Sequence, residues 1–155
     1  MKAEHINPFL NATVSVMSTM AMITPKPLKP YLKKDESAAG DISGIIGITG
    51  NQAIGSIAVS FAEKCILKIV SNMLGEPFTE MNHEVRDAVG EITNMISGLA
   101  RKELAEMGVT LEAAIPTVVS GKNHQIKHMI NGPSIVIPFQ TDDGPFSVDV
   151  CLQEI

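Results

Sequence analysis

The chain has no tryptophan, a single tyrosine and only 4% aromatic residues. Twelve lysines and arginines face seventeen acidic residues, for a net charge of −5. Nucleic-acid binding draws on a basic surface and aromatic stacking platforms, and both are missing. Long apolar runs are missing too: none approaches the roughly 20 residues of a membrane span. The N-terminal stretch has no continuous apolar core of the signal-peptide kind. A cytoplasmic protein without membrane insertion is therefore expected. Cysteine is scarce, and Cys65 and Cys151 stand alone within apolar patterns, as reduced, buried thiols do. His124 and His128 lie four apart in a segment without helical pattern, where that spacing does not converge on a metal; His5 and His83 lack neighbouring ligands. No metal site is expected. A glycine-rich phosphate loop, a Ser-His-Asp set and a nucleophile elbow are likewise not visible.

What is present is a globular composition. With 45% hydrophobic residues in 155, residues 1–155 suffice for one domain around one core. Residues 3–21 carry Ile6, Leu10, Val14, Met17 and Ala21 at helical spacing, with Pro8 near the first turn. Residues 24–41, with Pro25, Pro27 and Pro30 among lysines, predict a loop or a poorly paired edge. Residues 42–49 and 53–60 are β-branched runs around Gly50-Asn51, a turn signal. Ser60 to Glu63 reads as a capping box for a second helix that ends at Gly75. Thr79 or Asn82 can cap a third helix that runs to about Met107 and stops at Gly108.

The last third predicts strands near 113–120, 125–130, 134–140 and 146–153. In the final strand Phe146, Val148, Val150 and Leu152 alternate with Ser147, Asp149, Cys151 and Gln153, which predicts one buried face. The nine methionines are expected as core filler. The order of elements implies an α+β fold, an antiparallel-rich sheet packed on long helices.

The third helix carries the pattern of greatest interest. Asp87, Glu91 and Asn94 fall at i, i+4 and i+7, and Pro116 follows after 21 further residues (95 through 115). On a helix those steps return to one face, so the three side chains form a polar stripe. Val85, Val89, Ile92, Ile96 and Leu99 form the expected buried stripe opposite. Taken alone, a stripe of this kind is usually a solvated face.

The segment Asp87-Ala88-Val89-Gly90-Glu91-Ile92-Thr93-Asn94-Met95-Ile96-Ser97-Gly98 resembles the signature helix of the CheC/CheX/FliY family of chemotaxis phosphatases. That signature is Asp or Ser, three residues, Glu, two residues, Asn, and a proline 21 to 22 residues on. The order of elements and the hairpin with Ile135-Val136-Ile137-Pro138-Phe139 are similar to the CheX branch, so the resemblance spans nearly the whole chain. It implies a pseudo-repeat CheC-like fold and hydrolysis of the aspartyl phosphate of a CheY-like response regulator. In that reading Asn94 positions the attacking water and Glu91 pairs with the regulator's active-site lysine. Asp87 extends the contact or favours the helix start, Gly98 leaves room for a partner loop, and Pro116 shapes a supporting loop. The resemblance implies no cofactor of the chain's own, Mg2+ held by the partner regulator, and a homodimer joined through sheet strands, with Pro138 and the last hairpin at an exposed or shared edge. Glu4 and Asn7 repeat the Glu-x-x-Asn spacing, but no residue stands four before Glu4, so a single site is expected. A non-catalytic adaptor that docks phosphorylated regulators or a chemosensory complex is the alternative. Turnover separates the two.

Overall fold

The computed structural model describes residues 3–33, 40–122, 124–126, 128 and 132–155. A 3-10 turn, Ala3–His5, leads into α1 (Asn7–Ala21). The short strands β1 (Lys26–Pro27) and β2 (Tyr31–Leu32) precede the hairpin β3 (Ile42–Gly50) and β4 (Ala53–Phe61). Helices α2 (Glu63–Leu74) and α3 (His83–Glu106) follow, then β5 (Leu111–Ala113), β6 (Thr117–Ser120), β7 (Ser134–Thr141) and β8 (Gly144–Glu154).

Among the described residues the strands form one antiparallel sheet in the order β1-β7-β8-β4-β3-β5, with β2 also on β7 and β6 also on β3. The register aligns side chains in rows. Ile42, Phe61, Phe146 and Phe139 make one row, and Ile46, Ile57, Val150 and Ile135 another. The Phe61, Phe146 and Phe139 rings stack at centroid distances of 5.4 and 4.8 Å. These rows belong to the face on which the helices pack, and nearly all of their side chains are fully buried.

The opposite face carries small and polar residues: Ser43, Ser60 and Ser147 in one row, Ser56, Cys151 and Ser134 in another, with Asp149 between. A single buried face was expected for the last strand, yet β8 is buried on both sides from Phe146 to Leu152. The cover includes the chain around His124, Ile126 and His128. His124 Nε2 lies 2.7 Å from Ser43 Oγ, and Ile126 is buried. The strand expected over 125–130 lies partly outside the described residues; of its described residues, Gln125, Ile126 and His128, only Gln125 makes an isolated bridge.

Local signals decide most element ends. Asn82 caps α3, its side-chain oxygen accepting from Val85 N at 3.0 Å, and Gly108 with φ +89° follows the helix. The expected Ser60 capping box does not form. β4 continues through Phe61, and Ser60 Oγ is committed to Ser43 Oγ at 2.6 Å. Asp41 caps α2 instead, accepting from Glu63 N at 2.8 Å. The edge at Pro138, expected to be exposed or shared, is covered by β1 and β2 of the same chain. Leu28 N donates to Pro138 O, and pairing with β7 lapses where proline lacks an N–H. Met17 is buried and Met73, Met81 and Met95 pack partly buried against the core, as filler at its margin, whereas Met20, Met22 and Met107 are exposed.

Candidate functional site

Helix α3 is anchored along one face by Val85, Ala88, Val89, Ile92, Thr93, Ile96, Ser97, Ala100 and Leu104, all buried. Leu99, expected among them, is 42% exposed. The reason is drift. The buried centre moves round the helix from Val85 and Ile92 towards Ala100 and Leu104, which leaves Leu99 on the outer shoulder. Asp87, Glu91 and Asn94 are exposed and Gly98 is half-exposed. At about 100° per residue the four fall within about 60° of one another, opposite the mean buried direction. The structure thus brings the sequence-predicted site residues of α3 onto one accessible stripe.

Asp87 is not idle within it: its Oδ2 lies 3.2 Å from His83 Nε2, one turn earlier, with both side chains exposed. A Cβ at Gly98 would meet only the mobile end of Arg101 at 3.9 Å, so the chain's own packing does not require glycine there.

The helix is held close to the sheet at the level of the site. A Cβ at Gly44 on β3 would fall 2.0 Å from Thr93 Oγ1 and 3.3 Å from Val89 Cγ1. Thr93 itself is locked, its hydroxyl donating to Val89 O at 2.8 Å. Gly44→Ala must push α3 outward between Asp87 and Asn94. We expect a loss of about 1–3 kcal/mol in chemical denaturation, with a changed near-ultraviolet or NMR signature at the α3 residues. Unchanged stability would show that the helix has slack at this point.

Pro116 is placed beside the stripe. A Cβ on Gly90, the residue before Glu91, would lie 4.0 Å from Pro116 Cγ and 3.5 Å from Val118 Cγ2. Arg86 on α3 donates to Ser120 Oγ, and Arg101 donates to Leu111 O at 3.5 Å. Residues 111–120 therefore run along the flank of α3, tied at both ends and touching in the middle. One continuous strand over 113–120 was expected. The chain instead breaks at Ala114, Ile115 and Pro116, and the proline lies beside α3 at Gly90 rather than on the stripe. Glu4 and Asn7 do not reproduce the α3 arrangement: Glu4 lies in the 3-10 turn and Asn7 opens α1.

The outer sheet face holds a cluster that sequence reasoning missed. Ser56 Oγ contacts His128 Nδ1, His128 Nε2 lies 3.0 Å from Asp149 Oδ1, and Lys33 Nζ is 2.7 Å from Asp149 Oδ2. A Ser-His-Asp line thus exists, its serine and histidine 72 positions apart and its histidine and aspartate 21, and no local spacing announces it. Ser56 is buried in the middle of β4 and the aspartate is shared with a lysine. The arrangement clasps the covering chain to the sheet. Among the described residues no group of three or more His, Cys, Asp or Glu is placed to hold a metal ion, and no helix is long and apolar enough to cross a membrane. Cys65 and Cys151 are both buried, and burial pushes the Cys65 thiol up to about 11.

Comparison with known proteins bears on this geometry. The family described as chemotaxis phosphatase CheX matches residues 42–140, from β3 through α3 to β7. The chain belongs to the CheX family. It is 30% identical over 128 residues to the CheY-P phosphatase CheX of Thermotoga maritima, covering 82% of each chain. The crystal structure of the chemotaxis protein CheX from Vibrio vulnificus superposes with a TM-score of 0.92 at 47% identity, covering 97% of this chain and 100% of that one. The CheX of the CheX–CheY–BeF3–Mg2+ complex from Borrelia burgdorferi shares the fold, with a TM-score of 0.83 at 24% identity and coverage of 99% and 100%. The antiparallel sheet under long helices is thus a CheX-family fold, and the stripe on α3 lies within the matched region.

Proposed function

We propose that this CheX-family chain accelerates hydrolysis of the aspartyl phosphate on a CheY-like response regulator. The observation that carries the reading is the Asp87, Glu91, Asn94 stripe, exposed on a helix whose other face is buried from Val85 to Leu104. A phosphorylated receiver already surrounds its acyl phosphate with a lysine and Mg2+, and what it lacks is a water held in line with phosphorus. Phosphoryl transfer gains mainly from positioning and electrostatics. The Asn94 amide can accept a hydrogen bond from water and donate to a phosphoryl oxygen. It does so without adding negative charge beside an anion, as a carboxylate would. Glu91, one turn earlier, pairs with the regulator's lysine and fixes the helix in register. Asp87 extends that contact, and Gly98 gives a regulator loop room to approach.

The same reading takes Mg2+ from the regulator, sets the reaction in the cytoplasm and has the chain working as a homodimer. The deciding experiment follows phosphate loss from a phosphorylated CheY-like receiver with and without the protein. Accelerated loss at substoichiometric protein is expected. Phosphorylation-dependent binding without acceleration would instead make the chain an adaptor. Sedimentation at micromolar concentration checks the oligomer: a monomer would refute the dimer.

A further inference from the structure

Strands β5 and β6 both pair with β3, but not in one register. Leu111, Glu112 and Ala113 oppose Gly50, Thr49 and Ile48. Thr117, Val118, Val119 and Ser120 oppose Ile45, Gly44, Ser43 and Ile42. Between Ala113 and Thr117 lie three residues, whereas between Ile48 and Ile45 lie two. One residue is extra, which makes Ala114–Pro116 a β-bulge.

The bulge changes parity. Ala113 lies opposite Ile48 and Val118 opposite Gly44, so both share the helix-side face although they are five positions apart. Without the extra residue Ile115 would follow Ala113 onto that face, in the layer beneath α3. With it, Ile115 is expelled and is 88% exposed, the most exposed of the large hydrophobic residues described. The expulsion is fixed from both sides. Ala114 N donates to Gly47 O at 3.0 Å. On the other side Pro116 holds its predecessor extended and packs by Gly90 of α3. Ile115 is thus an exposed isoleucine on a bulge fixed from both sides, next in the chain to Pro116, which lies by Gly90 of the helix carrying the stripe.

We infer that Ile115 is an apolar anchor for the receiver domain, seating the regulator beside the α3 stripe. The inference rests on the function proposed above. Its occupant is a CheY-like receiver, because the neighbouring Pro116 lies by Gly90, the residue before Glu91 of the stripe on which that partner docks. Anchors of this kind carry a disproportionate share of binding, while a residue away from the reacting atoms leaves the chemical step unchanged.

The test varies receiver concentration with wild type, Ile115→Ala, Ile115→Glu and, as a control on another exposed apolar residue, Leu74→Glu. Circular dichroism checks folding. Ile115→Glu should raise the half-saturating receiver concentration about tenfold and Ile115→Ala about fivefold, with maximal rates within about twofold of wild type. Leu74→Glu should match wild type. An unchanged half-saturation for Ile115→Glu, or an equal effect from Leu74→Glu, would overturn the anchor. If wild type hastens no hydrolysis, the function proposed above falls. Binding to the beryllofluoride-loaded receiver then decides for Ile115 alone: about tenfold weakening by Ile115→Glu supports it, and unaltered or absent wild-type binding overturns it.

Discussion

Replacing Asn94 by alanine should lower the stimulated rate of receiver dephosphorylation by about two orders of magnitude or more, the scale for losing one group that acts on the transition state. The fold should survive, because Asn94 is exposed and is not among the buried residues of α3. Exposed substitutions of this kind stay within about 0.5 kcal/mol of wild type. The defect should appear in the maximal rate, since binding depends on other contacts. Glu91→Ala should differ: losing the pairing with the receiver's lysine weakens binding or positioning as well as rate. Asn94→Asp adds a discriminating arm. It retains size and an acceptor but brings a negative charge towards the phosphoryl group, and should be no better than alanine. Near wild-type rates for Asn94→Ala would remove the water-positioning role, and the adaptor reading would gain.

The stripe was legible because it depends only on helical spacing. Val85, Val89, Ile92 and Ile96 define the buried side by period alone, and Asp87, Glu91 and Asn94 then have to face outward. Leu99 escaped that logic because the buried stripe of α3 shifts towards Ala100 and Leu104, and a fixed period does not register the shift. Strands and turns were legible for similar local reasons, as with Asn82, Gly75 and Gly108 at helix ends. What remained hidden was non-local. The cap of α2 comes from Asp41, 22 residues away. The second buried face of β8 depends on which chain segment crosses it. The bulge at Ala114–Pro116 is a mismatch between two strands, so no inspection of one of them reveals it. Pro116 pointed to the place without saying what happens there.

The largest stability effect is expected on the side of the sheet away from α3. Asp149 receives His128 at 3.0 Å and Lys33 at 2.7 Å, and all three side chains are at least nine-tenths buried. Asp149→Ala leaves a buried lysine without its counter-charge and a histidine without its acceptor. Removing one partner of a buried pair costs about 3–5 kcal/mol, and urea denaturation should show a loss in that range. Lys33→Met with Asp149→Leu removes both charges and should cost less than Asp149→Ala alone. An additive penalty would mean that the two side chains do not interact.

The same carboxylate gives a signature in acid. Burial by itself raises its pKa, but the hydrogen bonds and charges of His128 and Lys33 outweigh burial and hold it below the ordinary carboxylate value. A group depressed in the folded state binds its proton more readily when unfolded, so it stabilises the fold above the unfolded value of about 3.9. That contribution is lost as pH falls below about 3.9 through the lower folded value. Wild type should therefore lose stability in this window more steeply than the double variant, which has no carboxylate there to protonate. Parallel profiles for the two proteins would place the acid sensitivity elsewhere. If the profiles diverge, and Asn94→Ala shows the same acid profile as wild type, the two faces of the sheet serve separate ends. One holds the fold together, and the other presents α3 to its partner.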